Sequence, residues 1–89
     1  MYQVCLVISG NVQGVFYRAS CQDVAVKYGL SGWVRNLPSG EVGVLVQGEK
    51  EKIEKLIEWC KKGPPNARVE EVKVKWEEVT GVFNGFGVR

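Results

Sequence analysis

The sequence predicts an α+β fold in which two helices pack on one face of an antiparallel sheet, with the element order βαββαβ and a short final strand. Apolar residues alternate with a period of two in four segments, which is typical of strands. In two other segments they recur every three or four residues, which is typical of helices. Glycine and proline separate these segments. The 89 residues have an ordinary globular composition and suffice for one core without disulfides or a metal.

The first predicted strand covers residues 2–9, and it is fairly apolar on both faces. A strand of this kind is expected inside a sheet rather than at its edge. Residues 18–28 are predicted to form the first helix, and Gly29 follows where a left-handed C-terminal cap is expected. The apolar stripe of this helix consists of Cys21, Val24, Ala25 and Tyr28.

Residues 31–37 and 41–47 are predicted to pair as a hairpin. Between them lies a turn in which Pro38 occupies the second position of a type I turn and Gly40 closes it. In the later strand, valines at positions 42, 44 and 46 alternate with other residues, which indicates a strand with one face in the core.

Residues 49–62 are predicted to form the second helix, with acids in its first turn and lysines in its last. Its apolar stripe consists of Ile53, Leu56, Ile57 and Cys60. The Gly-Pro-Pro run at 63–65 ends it. Residues 69–79 then alternate between apolar and charged side chains, and Phe86 with Val88 suits a short last strand. The order is that of a ferredoxin-like sandwich, and residues 1–89 contain no linker, so we expect a single domain.

Charge and cysteine content narrow the classes of function. A net charge of +2 with interspersed lysines and glutamates argues for neither nucleic acid nor an acidic membrane as a partner. No signal peptide is recognisable, and no apolar run approaches the ~20 residues of a membrane span. Three widely spaced cysteines indicate free thiols in a reducing cytosol, although a bond between Cys5 and Cys21 stays open. We therefore expect a cytoplasmic protein.

The chain contains no histidine. This excludes Ser-His-Asp and Cys-His catalysis and histidine-based metal sites. Any hydrolysis must then depend on positioning and electrostatics, or on carboxylates.

Residues 10–18, which read GNVQGVFYR, connect the first strand to the first helix and form the main candidate site. Gly10 and Gly14 lack a Cβ and so allow the backbone to turn and to approach a ligand. The N–H groups of such a turn and of the helix start can converge on an anion, and Arg18 adds a cation that grips phosphate with two bonds. The spacing fits neither the P-loop nor the dinucleotide pattern, so a tight strand-to-helix connection is the alternative interpretation.

The second candidate is Asn36, which precedes the hairpin turn. Its side chain is expected either to cap that turn or to hold a water or a substrate oxygen, because an amide both donates and accepts. The residues alone do not decide between the two.

The residues at this point resemble a known family. Residues 10–18 are similar to the first signature of the acylphosphatases, and residues 32–42, GWVRNLPSGEV, with Gly48 beyond them, are similar to the second. The run GPPNARV at 63–69 and the ending around Phe86 resemble the family too, so the resemblance covers essentially the whole chain. It implies a small cytosolic hydrolase that cleaves acyl phosphates, which are carboxylic-phosphoric anhydrides, to a carboxylate and inorganic phosphate without metal. We expect a monomer that needs no cofactor.

The resemblance also assigns roles. Arg18 is expected to bind the phosphate, and Asn36 to orient the attacking water. The loop amides expected to share the phosphate are those of Gln13, Gly14, Val15, Phe16, Tyr17 and Arg18. The open alternative is a regulatory module of the same fold that binds the anion without turnover. An RNA-binding domain of this topology would need an aromatic motif in residues 41–47, and a metal chaperone would need a cysteine pair in the first loop; neither is present.

Overall fold

The computed structural model describes all 89 residues and confirms the predicted order of elements. Each boundary lies within two residues of the predicted one. The elements are β1 (Tyr2–Asn11), α1 (Tyr17–Lys27), β2 (Ser31–Asn36), β3 (Val42–Gly48), α2 (Lys50–Lys62), β4 (Arg68–Glu77) and β5 (Phe86–Val88).

The five strands form one sheet in the order β4-β1-β3-β2-β5. The strand β1 lies inside the sheet, as its two apolar faces predict, and pairs antiparallel with both β3 and β4. The predicted hairpin of β2 and β3 is confirmed, and its turn is closed by a hydrogen bond from the Gly40 N–H to the Leu37 carbonyl (3.1 Å). The short β5 runs parallel to β2, so the sheet is mixed rather than wholly antiparallel.

The core lies between the sheet and the two helices. The predicted stripe of α2 is buried in full, while in α1 Cys21 and Ala25 are buried and Val24 and Tyr28 are half-buried. The strands contribute alternate side chains to the same core, among them Val4, Leu6, Ile8, Val34, Val42, Val44 and Val46. All three cysteines are free thiols, as predicted.

Gly10 differs from its prediction. The strand β1 continues through Gly10 to Asn11, because a register shift between Ser9 and Gly10 keeps the strand paired with β4. A Cβ at Gly10 would overlap the backbone carbonyl of Arg68 in the neighbouring strand. The glycine therefore allows two strands to approach each other and does not make room for a ligand.

No helix of the fold combines the length and the apolar character that crossing a membrane requires.

Candidate active site

The connection between β1 and α1 presents a row of unpaired backbone donors. None of the N–H groups of residues 13–19 donates to a protein acceptor, and the first that does is that of Ser20, to the Phe16 carbonyl (3.0 Å). The helix α1 has no side-chain cap and no acidic residue in its first turn. Since the start of a helix carries a partial positive charge, this arrangement favours an anion in front of the loop.

The backbone of the loop is held in an uncommon conformation. Gly14 has a φ of 75°, and Phe16, with a φ of 62°, is the one non-glycine residue of the chain with a positive φ. A left-handed conformation costs an L-residue roughly 1–2 kcal/mol. Left-handed residues are typical of concave loops whose amides converge on an anion. The loop thus has the geometry of an anion cradle and carries some strain.

The surrounding structure holds this loop from two sides. The Tyr17 side chain is buried, donates its hydroxyl proton to the Cys60 carbonyl in α2 (2.7 Å) and packs against Trp59. On the other side, Gln13 Nε2 donates to the carbonyls of Leu37 (2.9 Å) and Glu41 (2.8 Å), at the ends of the hairpin turn. Bonds to two separate elements fix the position of the loop relative to β2 and α2.

Burial raises the pKa of the Tyr17 phenol well above its ordinary value, and the Cys60 thiol beside it acts in the same direction. A phenol with a raised pKa stays protonated at neutral pH. Tyr17 is therefore an anchor of the loop, and its hydroxyl is not a proton acceptor for chemistry in front of it.

A cleft of about 290 Å³ lies in front of the loop. Its lining residues are Val12, Gly14, Phe16, Tyr17, Arg18, Ala19, Asn36 and Val88. Arg18 supplies the one charge in this lining, and no carboxylate side chain contributes to it. The guanidinium is oriented by a hydrogen bond from Nη1 to the main-chain oxygen of Arg89 (2.9 Å), which leaves its other donors for a ligand.

Asn36 lies at the end of β2 and lines the same cleft. Its Oδ1 is buried and has no hydrogen-bond partner in the protein. The side chain does not cap the turn, which is closed by backbone bonds of Leu37 and Gly40. Because an unpartnered buried acceptor costs roughly 1–3 kcal/mol, this oxygen marks a place for a water or a ligand.

Most of the residues predicted for the site meet at this cleft. Gly14, Phe16, Tyr17, Arg18 and Asn36 line it together. The side chains of Gln13 and Val15 point elsewhere, to the hairpin and to the core, so only their backbone amides are available.

Two lining residues were not predicted, namely Ala19 and Val88, and Val12 lies in the predicted loop but was given no role. The position of Val88 depends on the pairing of β5 with β2, for which the local sequence contains no signal. No group of three or more acidic, cysteine or histidine side chains is arranged to hold a metal ion.

Comparison with known proteins gives a consistent result. The model of the acylphosphatase family matches residues 4–88. The chain is 51% identical over 84 residues to an acylphosphatase of Pyrobaculum calidifontis, covering 93% of this chain and 76% of the relative. It is 47% identical over 88 residues to an acylphosphatase of Roseiflexus sp., covering 99% and 95% of the two chains. The crystal structure of acylphosphatase from Bacillus subtilis superimposes with a TM-score of 0.97 at 30% identity, covering 100% of this chain and 99% of the other.

Proposed function

This chain belongs to the acylphosphatase family, and from that premise we propose that residues 13–18 and Asn36 carry its acylphosphatase activity. The substrate is an acyl phosphate, and the products are a carboxylate and inorganic phosphate. The loop and Arg18 bind the phosphoryl group, and Asn36 directs a water at it. The observation that supports the proposal is that one cleft contains backbone N–H groups without acceptors, a single arginine, and the side-chain oxygen of Asn36, which has no hydrogen-bond partner.

Phosphate binding follows from the charges at the loop. A phosphoryl group presents several acceptor oxygens, and the cleft faces them with backbone N–H groups and the planar donors of Arg18. The lining contains one cation, Arg18, and no carboxylate side chain, which favours an anionic ligand. Preorganised donors of this kind contribute most where charge develops, and removing one costs roughly 10²–10³ in kcat in comparable sites.

Asn36 is proposed to position the water. An amide oxygen accepts a hydrogen bond from the water and so turns the water's lone pair toward the phosphorus. Because Oδ1 has no other partner in the protein, a water there removes the cost of an unsatisfied buried acceptor. Holding the water in line with the departing carboxylate lowers the entropy cost of bringing water and phosphorus together in the reactive geometry.

The reaction requires no strong acid or base. The water oxygen forms a bond to phosphorus, the bond from phosphorus to the bridging oxygen breaks, and that oxygen departs with its electron pair as a carboxylate. The water transfers one proton to a phosphate oxygen of the substrate, and the product is inorganic phosphate. Since a carboxylate is a good leaving group, positioning and charge stabilisation are sufficient, and we propose that no metal takes part.

The test is an assay of purified protein with benzoyl phosphate and acetyl phosphate. We expect enzymatic hydrolysis of both, competitive inhibition by inorganic phosphate, and the same rates with and without EDTA. A rate equal to that of buffer overturns the proposal. If calorimetry then still detects phosphate binding, the chain is the alternative, an anion-binding module without turnover.

We also propose that residues 1–89 form one acylphosphatase-like domain that acts as a cytoplasmic monomer without a nucleic-acid partner. Three unbridged cysteines, two of them buried, support a reducing compartment. The net charge of +2 is too small to hold a polyanion by itself. Light scattering at assay concentration should give the mass of one chain, and a larger mass would contradict the monomer.

A further inference from the structure

We propose that Phe16, together with Ala19 and Val88, forms an apolar wall that binds the acyl group of the substrate, so that the protein prefers acyl phosphates with a neutral, apolar acyl group up to the size of benzoyl. This inference rests on the proposed function, because it takes the phosphoryl group to lie at the loop amides and Arg18. The wall is the part of the same cleft that the phosphate does not use.

The first observation is the exposure of Phe16. Its side chain is 78% exposed, whereas the chain's other phenylalanines are half-buried (Phe83) or buried (Phe86). It lines the cleft directly beside the phosphate-binding amides. An aromatic ring left in water at the edge of a binding cleft provides apolar area that a ligand can cover.

The second observation is the backbone conformation of Phe16. At a φ of 62° a glycine or an asparagine would be accommodated with less strain than a phenylalanine. Backbone strain of this kind clusters at active sites and ligand clamps. Neither the fold nor phosphate binding requires a benzyl group here, since the loop contributes only its N–H groups to the phosphate.

The remaining lining completes the wall. Val88 on β5 is 42% exposed, and Ala19 in the first turn of α1 is exposed, so both present apolar surface to the cleft. Val12 is buried and closes the cleft from within. Five of the eight lining residues are hydrophobic.

Charge and size limit the acyl group. Arg18 is the single cation of the lining and is engaged by the phosphate, so a second anionic group on the acyl part would find no further cation in the lining. A volume of about 290 Å³ lies at the lower end of the roughly 300–1,000 Å³ of small-molecule clefts. The geometry therefore favours a small uncharged acyl group over a long or carboxylated one.

The test compares kcat/KM for benzoyl phosphate and acetyl phosphate in each variant, because the ratio between variants cancels the different intrinsic reactivities of the two anhydrides. Phe16→Asn should lower the benzoyl-to-acetyl ratio about five- to tenfold, since asparagine tolerates the left-handed backbone but removes the ring. Phe16→Leu should retain at least half of the ratio. Val88→Ser should lower the ratio about threefold.

The matched control is Val82→Ser, because Val82 is 77% exposed and does not line the cleft. Its ratio should equal that of the unmodified protein. The inference is overturned if the ratio is also unchanged in both Phe16→Asn and Val88→Ser while hydrolysis continues. That result would leave the proposed function intact. If the unmodified protein hydrolyses neither substrate, the proposed function itself is overturned.

A binding measurement separates the wall from turnover. Phenylphosphonate and methylphosphonate carry the same anionic group and cannot be hydrolysed as anhydrides. Calorimetry should show tighter binding of phenylphosphonate, by about five- to tenfold, and Phe16→Asn should abolish most of that preference. Equal affinity for the two phosphonates in the unmodified protein would contradict the wall.

Discussion

The two ends of α1 differ in whether their backbone N–H groups have hydrogen-bond partners in the protein. At its C-terminal end, the N–H groups of Tyr28, Gly29 and Leu30 all donate to carbonyls of the last turns (2.9–3.2 Å), and Gly29 adopts the left-handed conformation that this requires. At its N-terminal end no side chain caps the helix, and the loop amides have no acceptor in the protein.

The difference separates a structural helix end from the one at which we propose the site. Unpaired backbone donors cost free energy unless water or a ligand satisfies them, and folded proteins pair most of theirs. In α1 the unpaired set coincides with the cleft, with Arg18 and with the unpartnered Oδ1 of Asn36. Here the unsatisfied groups indicate the site more directly than the side-chain chemistry does, because the cleft contains neither a histidine nor a carboxylate.

The largest effect is expected from Arg18→Ala. Removing the one charge in the cleft at the N-terminal end of α1 should lower kcat/KM for acetyl phosphate by at least ~10³. Inhibition by inorganic phosphate should disappear as well. Arg35→Ala is the matched control, because Arg35 is exposed, packs on Trp33 and does not line the cleft. Retained phosphate inhibition in Arg18→Ala would show that the loop binds the anion without its arginine.

Asn36→Ala should lower kcat by roughly 10²–10³ while the inhibition constant of phosphate changes less than threefold. The variant should be at least as stable as the unmodified protein, because it deletes a buried acceptor that has no partner. Urea unfolding checks the stability, and Asn66→Ala in the exposed turn before β4 is the control. A large loss of stability would mean that Asn36 has a structural role after all.

Alkaline pH should destabilise the fold through Tyr17 and Cys21, which anchor the N-terminal half of α1 in the core. Burial raises the pKa of Tyr17. The pKa of Cys21 is raised because its thiol donates a hydrogen bond to Cys60, and burial acts in the same direction. A group with a raised pKa in the folded state stabilises the fold fully below its unfolded pKa, about 8.5 for cysteine and 10 for tyrosine, and less as the pH rises beyond it. The free energy of unfolding should fall above pH ~9, by up to ~1.4 kcal/mol per pH unit for each group.

The variant Tyr17→Phe lacks one ionisable group. Above pH ~10 its free energy of unfolding should therefore fall less steeply with pH, by the contribution of one proton. Tyr2→Phe, at a half-exposed ring, is the control and should leave the slope unchanged. Equal slopes in Tyr17→Phe and the unmodified protein would contradict the assignment.

The smallest effect is expected at the satisfied end. Gly29→Ala places a Cβ on a left-handed residue without a clash, so it should cost about 1 kcal/mol of stability. It should leave kcat/KM unchanged, because Gly29 does not line the cleft. Gly87→Ala, where φ is not positive and the Cβ also meets nothing, should show no such cost. A changed kcat/KM in Gly29→Ala would contradict the interpretation that only the N-terminal end of α1 contributes to activity.

Local patterns were sufficient for most of the fold. The 3.6-residue stripe of α2, the alternating valines of β3 and the glycine after α1 each predicted their element, because side-chain periodicity reports which face is buried. The exceptions depend on partners distant in sequence. Whether β1 stops at Ser9 or continues past Gly10 is decided by β4, and the parallel direction of β5 is decided by β2.

The same distinction applies to the site. Arg18 and Asn36 were recognisable because their residue types and neighbours form signatures, and both line the cleft. The left-handed backbone of Phe16 was not predictable, since a phenylalanine gives no local signal for positive φ. Nor was the use of Gln13, whose side chain bonds to two carbonyls of a hairpin more than twenty residues away.

The strand order has a consequence for how the molecule folds. The sheet joins Gln3 to Glu77 and Trp33 to Gly87, so its closure depends on contacts between distant parts of the chain, which slow folding relative to helical proteins. The cleft draws its walls from the beginning, the middle and the end of the sequence. A chain with β5 still detached would lack the part of the apolar wall that Val88 forms. During refolding, the benzoyl-to-acetyl ratio therefore reports whether β5 has paired with β2.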